Sequence, residues 1–223
     1  MSVDLSWKGV YKASGLSLLI GGAIVIIFLI LVFIFQVQLP LTAQSVLDTP
    51  LEPVLLFSLA ALGEFLLMPG VLGLYFSLKD VNKNQVFLGT AVFLTAILMF
   101  LISRGQVISL LTISDYYSAT TDATLRTAYL ATAQFALEVS GVFAIMALAL
   151  FGIGSIVIGL VMLKGVFDQR TAYLVIVAGT LTTIGTFGVL LEPLTIGTPF
   201  GLILSGIWQI IVGTKLYKLS KHA

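Results

Sequence analysis

Six stretches of this chain, residues 16–35, 54–78, 86–111, 129–163, 172–191 and 199–216, run for roughly 18 residues or more with almost no charge. At 1.5 Å per residue, a helix of about 20 residues covers the roughly 30 Å hydrocarbon core of a bilayer. Repeated runs of that length leave few alternatives to a bundle of membrane-crossing helices. Composition agrees: 59% of the residues are hydrophobic and 9% are charged, with a mean hydropathy of +1.13. Soluble domains carry about 25% charged residues, so this chain has too little polar surface to cover a water-soluble globule. The expected fold is all-α, a single transmembrane domain over 1–223 in which the six spans share one bundle.

Lys8 and Lys12 precede the first run, as they would in a signal peptide. A signal core is about 7–15 residues followed by a small-residue cleavage site, whereas Gln36–Pro40 offers none, so an uncleaved first span is expected. The fourth run is longer than a bilayer requires. Thr120, Thr121 and Asp122 are N-cap residue types, which places the start of that helix outside the hydrocarbon. The loops between runs hold the Pro, Asp, Asn, Lys and Thr clusters.

Charge distribution sets the orientation, because Lys and Arg concentrate in short cytoplasmic loops. Lys8, Lys12, Lys79, Lys83, Lys164, Arg170, Lys215, Lys218 and Lys221 fall in one set of segments. The opposite set holds Arg126 with Asp48, Glu52, Asp115, Asp122 and Glu192. Six spans with both termini cytoplasmic satisfy this bias, and five or seven break it. Spans two, four and six also end alike, in Gly73–Lys79, Gly159–Lys164 and Gly213–Lys218. A small residue, apolar residues and a snorkelling lysine make any inner helix end, so the likeness is weak as a trace of repeats.

The chain lacks the usual catalytic equipment. It has no cysteine, and its single histidine, His222, lies in the basic tail, so no thiolate or multi-histidine metal site is expected and no cofactor is implied. P-loop, G-x-G-x-x-G, G-x-S-x-G and H-E-x-x-H patterns are missing. There is no basic patch for nucleic acid beyond the span-end lysines. An enzyme is therefore not expected. The missing N-x-[ST] acceptor agrees with a prokaryotic cytoplasmic membrane.

Ionisable residues inside spans are the candidate functional groups, because each costs about 2.5–3.5 kcal/mol on insertion scales. Glu64 lies about 21 Å above the inner end of span two, and Arg104 about 27 Å above that of span three. Glu138 falls near 37 Å and Glu192 near 30 Å by the same rise per residue. Arg104 is thus expected to pair with Glu64, Glu138 or both in a pocket opening outward. A structural ion pair that fixes helix register is the competing reading, with interfacial snorkelling for Glu138 and Glu192. Pro69 and Gly70, just over a turn from Glu64, are a candidate hinge, although a static kink is ordinary at such a proline. Gly197, Gly201 and Ser205 step by four, a small-residue ridge expected to pack helices. Trp7, Tyr11, Tyr116, Tyr117, Tyr129, Tyr173 and Tyr217 fall near the expected interfaces.

Three segments carry a resemblance: Lys12–Leu16 at the entry to span one, the outer loop Tyr116–Asp122 through Arg126–Ala131, and the ending Trp208–Tyr217. In these the chain resembles multi-span prokaryotic membrane proteins of the domain-of-unknown-function 4386 family. The resemblance implies the architecture and, since that family carries no assigned activity, no site residues. Two functions stay open. One is handling of a small polar solute, a lipid headgroup or a proton through the outward pocket. The other is a non-catalytic scaffold, sensor or partner subunit of a membrane complex. Lipid is the expected partner in both, with a homo-oligomer or a membrane partner compatible with either.

Overall fold

The computed structural model describes residues 7–35, 41–165, 167–189 and 191–222. Among these the chain is all-helical: α1 (Lys8–Ile34), α2 (Ala43–Asp48), α3 (Leu51–Ala119), α4 (Ala123–Met162), α5 (Gln169–Thr186) and α6 (Gly197–His222), with 3-10 turns at Phe187–Val189 and Glu192–Ile196. Four helices, α1, α3, α4 and α6, are long and apolar enough to cross a membrane. Large apolar side chains such as Phe33, Phe65, Phe87, Phe135 and Phe200 stand exposed on their outer faces. In water that surface would drive aggregation, and in lipid it is the ordinary exterior.

Three helix starts have a local chemical cause. Asp122 caps α4, accepting from the amides of Thr124 and Leu125 at 2.7 and 3.3 Å. Asp168 does the same for α5 through Thr171, and Thr42 for the short α2 through Ser45. The expected loop near 79–85 is a correction: helix continues through it except at Asn82, where φ −157° and ψ 89° leave the helical region. The Asn82 side chain then accepts from the Gln85 amide at 3.1 Å and caps the renewed helix. Two arms, 51–81 and 83–119, result. The fifth run also differs, because regular α-helix stops at Thr186 and the rest of 172–191 passes into 3-10 turns and the undescribed residue 190.

Consecutive helices run antiparallel, as their contacts show. Gly73 meets Ser14 while Gly63 meets Ile24, so the first arm of α3 descends along α1. Gly89 meets Val157 and Ser103 meets Ser140, which opposes the second arm and α4. Gly152 sits against Gly179, Gly201 against Thr182, and Gly213 against Gly15. These last contacts carry α4 to α5, α5 to α6 and α6 back to α1, closing a ring. A Cβ at Gly152 would come within 2.6 Å of the Gly179 carbonyl oxygen, so small residues set how closely the backbones approach.

The two ends of the ring differ in their contacts. At one end Trp7 stacks on Phe76 with centroids 3.9 Å apart, and the Lys79 ammonium lies over Trp7. There too Lys215 is paired with Asp168 and donates to Thr171 Oγ1 at 2.8 Å. Tyr11 departs from the interfacial role expected of it: it is buried, its hydroxyl 3.4 Å from the Phe76 carbonyl. At the other end α2 packs over α3 and α4, with Ser114 donating to the Leu47 carbonyl at 2.7 Å and Arg126 lying over the Tyr117 ring.

Candidate functional site

Three helix faces converge inside the ring. On the first arm of α3, Phe57, Ala60, Glu64 and Leu67 recur at three- and four-residue steps and so share one face. On the second arm Phe100 and Arg104 lie one turn apart, and on α6 Ser205 and Gln209 do the same. These faces, with Phe28 of α1 and Phe151 of α4, line a partly open cavity of about 240 Å³. Most of its wall is apolar.

Glu64 and Arg104 meet in that wall. Arg104 donates from Nε and Nη2 to the single oxygen Oε1 of Glu64, at 3.1 and 2.9 Å. The guanidinium carbon also lies 5.0 Å from the Phe57 ring centre, 5.5 Å from Phe100 and 6.0 Å from Phe28. Ring faces are electronegative, so three aromatics and one carboxylate stabilise the cation. Next to Arg104, buried Ser103 donates to the Ser140 carbonyl at 2.9 Å, pinning this turn of α3 to α4. Glu64 itself is 8% exposed, and its second oxygen, Oε2, has no protein partner.

The other expected residues fall elsewhere. Glu138 is exposed and takes a hydrogen bond from Gln134 Nε2 at 2.9 Å, so it does not join the Arg104 pair. The Glu192 backbone opens a 3-10 turn, and its side chain lies outside the described residues. Helical torsions continue through Pro69 and Gly70, the departure inside α3 being at Asn82. Their observed role is contact: Ser14 donates to the Pro69 carbonyl at 2.6 Å, and a Cβ on Gly70 would collide with Leu18. Leu56, Phe57 and Val107, packed with Phe28, Leu31, Leu41 and Leu137, form an apolar layer between the ion pair and α2.

Two site residues were not among those expected. Ser205, expected only in a packing ridge, lines the cavity, while Gly197 and Gly201 do pack on α5 at Gly185 and Thr182. Gln209 is fully buried, and neither its amide oxygen nor its amide nitrogen has a partner; the Ser205 hydroxyl is equally unpaired.

No protein-family model, curated protein or solved structure matches this chain. Its chemistry has to be read from these side chains alone. A largely buried ion pair with one unpaired carboxylate oxygen thus lines this mainly apolar cavity, together with an unpaired amide and hydroxyl. Buried polar groups are nearly always hydrogen-bonded, and each unmet one costs about 1–3 kcal/mol. Three such residues line this cavity, and Thr90, Ser155 and Trp208 carry unmet buried atoms elsewhere.

Proposed function

We propose that this chain is a six-span protein of a prokaryotic cytoplasmic membrane, both termini on the cytoplasmic side, which binds a small solute at the Glu64–Arg104 pair. The reading is of a binding or carrier protein and not of an enzyme. Six crossings need α5 and both arms of α3 to span. Thr180, Thr182 and Thr183 of α5 each donate to the carbonyl four residues earlier, so their hydroxyls are satisfied within the helix and burden it little in lipid. The kinship with the domain-of-unknown-function 4386 family is part of the same proposal.

The observation that carries the function is the unpaired, buried Glu64 Oε2 on a residue that lines a cavity. A scaffold or sensor that used Glu64 and Arg104 only for register would have a filled and fully paired interior. Entry from the outer side requires the Leu56–Phe57–Val107 layer to part, which assigns that layer the role of a gate. A lipid headgroup or a proton would use the same open oxygen.

The chain has no cysteine of its own, so Ser205→Cys introduces a single reporter thiol. A thiol reacts as thiolate, which forms only where water reaches it. In sealed vesicles the Ser205→Cys protein is expected to react with the uncharged reagent methyl methanethiosulfonate well above the rate of Ile153→Cys, a position on the exposed face of α4. Equal, negligible reaction at both positions sinks the binding reading.

A further inference from the structure

We infer that the occupant of this cavity is a compact, electrically neutral molecule with an apolar body and an uncharged amide- or alcohol-like head, and that Gln209 and Ser205 recognise the head. The inference rests on the binding reading of the cavity and adds the class of ligand to it.

Charge is decided by the ion pair. Arg104 and Glu64 neutralise each other at 2.9 Å, so the wall offers no net attraction to an anion or a cation. An anion placed near Arg104 meets the Glu64 carboxylate, and a cation placed near Glu64 meets the guanidinium. A charged ligand would also lose its hydration in a chamber lined mainly by residues such as Phe28, Phe57, Phe100 and Phe151. A neutral molecule avoids both costs. The apolar lining then takes its body, as in most small-molecule sites, where a few placed polar groups fix orientation.

The nature of the head comes from the unmet polar atoms. Gln209 presents one acceptor and one two-proton donor, and Ser205 one hydroxyl, all buried and without protein partners. They lie one turn apart on α6, on the face that lines the cavity. A primary amide or a hydroxyl offers donor and acceptor together and can answer both. Glu64 Oε2 remains as a further acceptor for a donor on the same ligand.

Trp208 reports on the site. It is fully buried beside Gln209, and the chain's only other tryptophan is Trp7, at the far end of α1. In Trp7→Phe protein, solubilised whole, hexanamide, hexan-1-ol, hexanoate and hexylamine present one apolar body with four heads. Hexanamide and hexan-1-ol are expected to change Trp208 emission saturably, with hexanoate and hexylamine at least about tenfold weaker. Gln209→Leu keeps volume and removes the amide; it is expected to weaken hexanamide about tenfold, the scale of one or two lost hydrogen bonds. Preference for a charged probe overturns the inference, as does unchanged hexanamide binding by the Gln209→Leu protein. No saturation by any probe means that water alone fills the chamber, and overturns it too. If Ser205→Cys still reacts with the thiol reagent in that case, the binding reading survives and only the neutral-ligand assignment falls.

Discussion

An arginine in hydrocarbon must find its counter-charge within side-chain reach, and Arg104 finds Glu64 one helix away with two hydrogen bonds to one oxygen. Removing one member of such a pair strands the other; replacing both with apolar residues need not cost stability. Arg104→Met is therefore expected to lower unfolding free energy by about 3–5 kcal/mol. The double variant Glu64→Leu/Arg104→Met is expected to recover most of that loss. Denaturant unfolding in bicelles reads both; if the double variant is as unstable as the single one, the pair is not what holds this turn. Glu64 and Arg104 were legible in the sequence because charge inside an apolar run is conspicuous, and their depths of about 21 and 27 Å lie within an arginine's reach. Glu138, near 37 Å by the same count, was also an expected partner, but the structure leaves it exposed and bonded to Gln134 on its own helix. Ser205 and Gln209 were not legible, since uncharged polar residues do not interrupt an apolar run. Their unmet hydrogen bonds exist only once α6 faces the two arms of α3.

Helix pairing depends on where glycines fall. Gly152 of α4 is held against α5 so tightly that a Cβ would lie 2.1 Å from Thr183 Oγ1 and 2.9 Å from the Thr183 backbone nitrogen. Backbone cannot swing aside as a side chain does, so Gly152→Ala is expected to destabilise by about 1–3 kcal/mol. Gly141, also in α4, would meet nothing within 4 Å. There alanine only removes unfolded-state freedom, and Gly141→Ala is expected to stabilise by about 0.4–1 kcal/mol. Thermal melting of the two variants side by side checks the contrast; matched shifts of the same sign would refute it. The apolar runs foretold where helices lie, and Asp122 foretold where α4 begins. They did not foretell the turn at Asn82, because one residue outside the helical region suffices when its side chain caps the next arm. Nor did they foretell the end of α5 at Thr186, where Gly185 and Gly197 draw the chain into a close crossing with α6.

At the scale of the molecule, the ring gathers the turn at Asn82, the Asp168 cap and the lysines of α6 at one end, with α2 and Asp122 at the other. Single cysteines at Lys83 and Gln169 are thus expected to label from the same side of intact cells, the cytoplasmic one, and a cysteine at Ser118 from the opposite side. Labelling of Lys83→Cys and Gln169→Cys from different sides would remove the six-span topology. The same ring has a consequence for synthesis. The Gly15 and Gly22 stripe of α1 is covered by α6, which leaves the ribosome after α3, α4 and α5. At about 5–20 residues per second, α1 waits roughly ten seconds or longer in the bilayer with that seam open. During the interval there is no chamber to fill. Whatever molecule settles there arrives after translation, and a nascent chain halted before α6 would be a sheet of helices with an unsatisfied edge, the form that quality-control proteases of the membrane are placed to meet.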